Sequence, residues 1–185
     1  MKNKIIFIIN PIAGKGEGKI VESKVQQFFA NKNIDFETYL TEYNGHATLL
    51  TQNVLLQKPT IVVACGGDGT INEVAQTLIN TDIALGIIPI GSGNGLAANL
   101  HIPTNLENAF EVILNTQKST IDVGKINENY FFSNMGLGID AEVIHRYSQK
   151  KTRNFLGYVS ASTKALFNYQ PKKFKIELND SEILE

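Results

Sequence analysis

Three glycine-rich turns each follow directly on a short run of β-branched residues, and this arrangement constrains the fold more than any other feature of the sequence. Asn10–Gly18 follows Ile5–Ile9, Gly66–Thr70 follows Thr60–Cys65, and Gly91–Gly95 follows Ala84–Ile90. Short, continuously apolar runs of this kind suit strands buried on both faces, as in parallel sheets, and the amphipathic segments between them suit crossover helices. The expected fold class is therefore α/β, an open, mostly parallel sheet with flanking helices, with strands at Ile5–Asn10, Phe36–Thr41, Thr60–Cys65 and Ala84–Ile90. Helices are expected at Lys19–Asn31, His46–Gln57, Ile71–Asn80, Leu96–Leu100 and Thr104–Asn115. In the first of these, Ile20, Val21, Val25, Phe28 and Phe29 form the apolar side. Thr70-x-x-Glu73 and Thr104-x-x-Glu107 match the capping box at two helix starts.

The pattern changes at Thr120. A strand at Thr120–Ile126, a turn at Asn127-Glu128-Asn129 and a strand at Tyr130–Met135 open a β-rich part, followed by a glycine-marked segment from Gly136 to Asp140, a helix near Gly157–Asn168 and a strand at Phe174–Leu178. The expected organisation is an α/β domain over residues 1–119 and an incomplete β-rich domain over residues 120–185, too short to close a sheet sandwich, so that a truncated chain is expected.

Bulk properties exclude several classes. A chain that is 43% hydrophobic and 19% charged is neither a disordered segment nor a disulfide scaffold, and Cys65, the single cysteine, has no internal partner. The apolar run at the N-terminus is too short for a signal peptide, and no stretch reaches the roughly 20 apolar residues that cross a bilayer. A cytoplasmic protein is expected, with any membrane contact peripheral and at the inner face. The net charge of -1 conceals a block from Arg146 to Lys175 that carries eight basic residues and no acid. Such a block favours an anionic lipid surface or phosphate, and equally suits a solvated face of a helix and strand.

In open α/β sheets ligands gather at the carboxyl ends of the strands, where all three glycine turns fall. Glycines let backbone N–H groups approach phosphate oxygens, and helix N-termini add partial positive charge, so the chemistry suggested is nucleotide binding. Two better-known fingerprints fail. Gly14-Lys15-Gly16-Glu17-Gly18-Lys19-Ile20 is one residue too short for the Walker loop and has Ile20 where a hydroxyl is required, and the strict alternation of Gly14, Gly16 and Gly18, like that of Gly91, Gly93 and Gly95, is not the dinucleotide pattern. The three histidines are scattered, and neither a metal-ligand spacing nor a Ser/His/Asp set is visible. No aromatic residues are interleaved with the basic block, and nucleic-acid binding is not expected.

What remains is Asn10-Pro11-x-x-Gly14-Lys15-Gly16, then Gly66-Gly67-Asp68-Gly69-Thr70-Ile71-Asn72-Glu73, then Pro89-Ile90-Gly91-Ser92-Gly93-Asn94-Gly95-Leu96-Ala97. In order and spacing this set resembles the diacylglycerol kinase catalytic family, which includes sphingosine kinases and bacterial lipid kinases, and the resemblance continues through Ile121-Asp122-Val123-Gly124 and Gly136-Leu137-Gly138-Ile139-Asp140. It implies an ATP-dependent lipid kinase that transfers the γ-phosphate to a lipid hydroxyl, with ATP and Mg²⁺ as cofactors and this chain as mainly the ATP-binding portion. It also implies nucleotide contacts from Asn10, Pro11, Gly14, Lys15, Gly16, Thr41, Gly66, Gly67, Asp68, Gly69, Thr70, Ile71, Asn72, Gly91, Ser92, Gly93 and Asn94.

The resemblance further implies Asp68 and Asp122 as the catalytic carboxylates, Asp68 also holding Mg²⁺ and Asp122 joining the polar network around it, while Asp140 and Glu142 face the lipid headgroup. Lys15 is suited to neutralise phosphate charge, and Glu73 suits a cap better than a catalyst. Where the family often carries Asp after the Gly-Thr-Gly-Asn segment, this chain has Gly95, which removes one carboxylate from the site. The family's acidic general base lies well downstream of position 185, so the chain alone is expected to bind nucleotide with little or no turnover. The expected partners are ATP and a lipid at a membrane surface, with a homodimer left open. Two alternatives stay open: an NAD-kinase-like enzyme with a soluble acceptor, and a non-catalytic nucleotide-binding module.

Overall fold

The computed structural model describes residues 4–115 and 118–148, with short stretches beyond that include Ile176–Leu178 and Glu182–Leu184. It divides into two compact units, Met1–Ser133 and Asn134–Glu185.

The first unit is built on a four-stranded parallel sheet of β1 (Lys4–Ile9), β2 (Asp35–Leu40), β3 (Ile61–Gly66) and β4 (Ala84–Pro89), in the spatial order β2-β1-β3-β4. The fold is α/β, as the apolar runs require. Period-two alternation explains why the central strands are apolar throughout: Ile5, Phe7, Ile9, Val63 and Cys65 point to one face, and Ile6, Ile8, Val62 and Ala64 to the other. The first face is covered by α2 (Gly18–Phe29) and α6 (Leu106–Asn115), the second by α3 (His46–Leu55), α4 (Asp68–Leu78) and the short α5 (Gly95–Asn99). Under α2 lies an aromatic cluster in which the Phe7, Phe29, Phe36, Phe28 and Phe110 ring centroids are 5.0–6.5 Å apart.

Element boundaries fall within a few residues of the sequence reading, with informative exceptions. Ile20 is 53% exposed, so the buried stripe of α2 is Val21, Val25 and Phe29, which share one face at i, i+4 and i+8. Residues Ala13–Gly16 form a helical turn, α1, although three glycines mark the region as a loop. The strand expected over Thr120–Ile126 shrinks to β5 (Gly124–Ile126), paired antiparallel with β6 (Asn129–Phe131) across a two-residue turn that begins at Asn127, whose φ is 50°. This hairpin belongs to the first unit, beyond the change of pattern at Thr120.

In the second unit, α7 (Ile139–Ser148) begins at the end of the glycine-marked segment from Gly136 to Asp140. A hairpin of β7 (Ile176–Leu178) and β8 (Glu182–Leu184) makes a small antiparallel sheet. The helix expected near Gly157–Asn168 lies almost wholly outside the described residues.

Candidate active site

Strand order places the site. The chain leaves β1 first for β2 on one side and later returns to β3 on the other, so the connections diverge between β1 and β3, the position at which open α/β sheets form a ligand crevice. Around that point the three glycine turns are tied to one another by specific bonds.

Asn10 closes the first turn onto the second. Its backbone N–H extends the ladder to the Cys65 carbonyl at 2.9 Å, its Oδ1 accepts the Ile12 N–H at 3.1 Å, and its Nδ2 donates to Thr70 Oγ1 at 3.2 Å. Thr70 is buried in the first turns of α4. Thr41, at the end of β2, is also buried, and its N–H donates to the Ile9 carbonyl at 2.8 Å. Gly18 passes so close to the first turn that a Cβ there would lie 2.1 Å from the Asn10 carbonyl oxygen. Lys15 sits on α1, and its side chain lies outside the described residues.

Asp68 fastens the second turn to the third. One carboxylate oxygen accepts the Asn94 N–H at 2.9 Å and the other the Gly95 N–H at 2.7 Å. Asp68 thus caps the start of α5, satisfying amides that the helix cannot pair by itself. Gly67 and Gly91 make this approach possible, since a Cβ on Gly91 would stand 2.5 Å from the Gly67 Cα. Asn94, at φ 56°, donates its Nδ2 to the Gly91 carbonyl at 2.6 Å, and its buried Oδ1 has no partner among the described residues. Ser92 and Gly93 complete this turn, with Gly93 against Asp68 Oδ2.

The amino end of α4 is open in a different sense. Gly67 stands at the N-cap with no side-chain cap, and Asp68 turns its carboxylate toward α5, so the first-turn N–H groups around Asp68, Gly69 and Thr70 face the crevice end without a capping partner. Ile71 and Asn72 continue the helix, Ile71 buried in the core.

Both capping boxes are revised. The carboxylate of Glu73 accepts the Gly45 N–H at 3.0 Å and the Ala47 N–H at 3.1 Å, capping α3 and not its own helix. At α6 the cap is Asn105, whose Oδ1 accepts the Asn108 N–H at 3.0 Å; Thr104 lies one residue too early. Glu73 is therefore a residue of the site's scaffold that sequence reading assigned to the wrong partner. The amides that donate to it stand 26 and 28 residues earlier in the chain, and no local spacing announces them.

Asp122 is exposed just ahead of β5 and makes no hydrogen bond or ion pair among the described residues. Asp140 and Glu142 stand in the first turn of α7, in the second unit. No cluster of three or more His, Cys, Asp or Glu side chains suited to a metal ion occurs among the described residues. Asp68 remains a single exposed carboxylate with lone pairs to spare, a donor set that fits Mg²⁺ delivered on nucleotide phosphates better than an ion caged by protein alone. A cleft of about 250 Å³ lies elsewhere, lined by Ile5, Ile34, Thr60, Ile61, Ile113, Leu114 and Lys118 at the amino-terminal ends of the strands, away from all three turns. Among the described residues no helix is long and apolar enough to cross a membrane.

Comparison with known proteins gives a consistent result. The diacylglycerol kinase catalytic domain matches residues 4–126. A diacylglycerol kinase of Staphylococcus saprophyticus is 31% identical over 159 residues, covering 85% of this chain and 52% of that protein. A diacylglycerol kinase of Staphylococcus haemolyticus is 34% identical over 129 residues, covering 69% of this chain and 39% of that protein. The crystal structure of a diacylglycerol kinase from Bacillus anthracis strain Sterne superposes with a TM-score of 0.63 at 30% identity, over 70% of this chain and 45% of that one. The chain thus spans about half the length of these relatives. A parallel sheet whose three carboxyl-end turns are bonded together, in a sequence matched by the family's catalytic domain over residues 4–126, identifies this chain as belonging to the diacylglycerol kinase catalytic domain family of lipid kinases.

Proposed function

We propose that the protein is an ATP-dependent lipid kinase that transfers the γ-phosphoryl group to a lipid hydroxyl, and that this chain carries the ATP-binding part. The observation that bears most weight is the Asp68 carboxylate bonded to the Asn94 and Gly95 amides, which joins two glycine turns into one rigid cradle at the carboxyl edge of the sheet. Phosphoryl transfer asks little covalent chemistry of a protein and much positioning. The uncapped amides of α4 and the backbone of Gly14, Gly16, Gly66, Gly67, Gly69, Gly91, Ser92 and Gly93 supply N–H donors for phosphate oxygens, and Asn10, Pro11, Thr41 and Asn94 hold those turns in place. Lys15 adds positive charge to the first turn.

Asp68 is the residue that would hold Mg²⁺, which, bound with ATP, neutralises charge on the phosphates. Because both its oxygens already accept amide protons, Asp68 acts as an orienting group in this reading, and the acceptor hydroxyl loses its proton elsewhere as its oxygen bonds to phosphorus. Asp122 is proposed to extend the polar surroundings of the nucleotide. Asp140 and Glu142, on the second unit, are proposed to meet the lipid headgroup, with the basic block from Arg146 to Lys175 favouring an anionic membrane surface.

The test supplies the whole gene product with γ-labelled ATP, Mg²⁺ and a panel of diacylglycerol, phosphatidylglycerol and sphingoid bases, with NAD alongside. Label in a lipid is the expected result. Label in NAD alone, or ATP binding with no acceptor labelled at all, overturns it.

A further inference from the structure

One exposed aromatic pair at the same edge of the sheet has no part in the scheme above. Between β2 and α3, the Tyr43 ring lies parallel on the His46 imidazole, with centroids 4.5 Å apart and planes 3° from parallel. Tyr43 is 58% exposed even with His46 stacked on one face of its ring. The partner beneath the ring is held in place. His46 Nδ1 accepts the Glu42 N–H at 3.1 Å, which fixes the imidazole plane and leaves the proton on Nε2 in the neutral ring. The loop between them is gripped through its Gly45 and Ala47 amides by Glu73. Two residues before Tyr43, Thr41 is anchored to Ile9, directly ahead of Asn10.

We propose that the stacked Tyr43–His46 pair is a platform for the purine base of the nucleotide, the base lying on the outward face of the Tyr43 ring. Three observations on different elements meet here. A flat aromatic face, preorganised and open on one side, is the chemistry that recognises a nucleobase without regard to its hydrogen-bonding edge. Glu73, which holds the loop carrying the platform, follows Asp68 by five residues on α4, so one helix positions both the second glycine turn and the platform. The loop also adjoins the Asn10 turn through the β1–β2 pairing, so both lie at the same end of the sheet.

This assignment rests on the nucleotide reading above and is tested so that the two fail separately. Tyr43→Ala, Tyr43→Phe and Tyr43→Trp chains are titrated with ATP and with inorganic tripolyphosphate by calorimetry. Tyr43→Ala is expected to weaken ATP by roughly 5- to 150-fold, the range spanned by base–aromatic stacking, and to leave tripolyphosphate unchanged, while Tyr43→Phe binds as the parent. The sequence has no tryptophan, so Tyr43→Trp introduces a sole indole, whose fluorescence ATP should quench and tripolyphosphate should not. ATP affinity unchanged in Tyr43→Ala, or an indole indifferent to ATP, overturns the platform and leaves the phosphate cradle standing. A parent chain that binds neither ligand overturns both.

Discussion

At Asp68 the structure separates two roles that the sequence merges. A carboxylate held only for catalysis is usually dispensable for folding, whereas one that caps two amides is not. Asp68→Asn keeps a single oxygen and turns an NH₂ group toward an N–H, so a loss of about 1–3 kcal/mol in unfolding free energy is expected from urea titration, alongside any loss of activity. An Asn variant as stable as the parent would contradict the capping role. The glycines sort in the same way. A Cβ at Gly95 meets Ser133 Oγ at 3.7 Å and Asp68 Oδ1 at 3.8 Å, ordinary contacts, so Gly95→Ala should be neutral or gain up to about 1 kcal/mol from helix propensity. Gly91→Ala forces a methyl to 2.5 Å from Gly67 and should lower both Tm and ATP affinity. The sequence made Asp68 and these glycines conspicuous because each group breaks off an apolar strand run abruptly, and such residues are depleted within strands and favoured in turns. It did not separate Gly91 from Gly95, since that difference is set by the neighbouring chain.

Among the elements, the central strands were the most legible, because β1 and β3 are buried on both faces and their composition leaves no alternative. Helix ends were less so. Glu73 and Glu107 both sit where a capping box would place them, yet only distant geometry decides whom an acid caps. α1 was hidden because Gly14 and Gly16, at φ 59° and 98°, read as loop glycines, and α7 because it begins at Ile139, directly after Gly136 and Gly138. The edge strand β2 is fastened to β1 by a polar chain in which Glu37 pairs with Lys4 and accepts the Tyr39 hydroxyl. The hydrogen bond to Lys4, then that to Tyr39, hold the Glu37 carboxyl below its ordinary value of 4.5, so this group stabilises the fold above the unfolded-state value and ceases to as the pH falls through its lower folded value. Urea melts of the parent and Glu37→Gln should therefore differ at pH 7, with the parent more stable, and converge at acid pH once the carboxyl is protonated in the folded state as well.

For the first unit as a whole, Cys65 is a built-in reporter. It lies at the end of β3 with its side chain fully buried, and burial alone pushes its thiol well above the usual range, so it is inert while the sheet is closed. Labelling by a thiol reagent should proceed only through opening of the core, and its rate should match the global unfolding equilibrium under conditions of fast reclosing. Labelling much faster than that would mean that β3 opens locally. The two-unit division was less legible than the sheet, because the hairpin that follows the change of pattern joins the first unit by packing, which periodicity does not record. The Asp68 clamp has a last consequence for how the crevice opens. Because a single side chain holds the Asn94 and Gly95 amides, the third turn cannot peel away one bond at a time. In hydrogen–deuterium exchange these two protons should therefore leave in concert, at one shared rate, and Asp68→Ala should release both together while the amides of β3 stay protected.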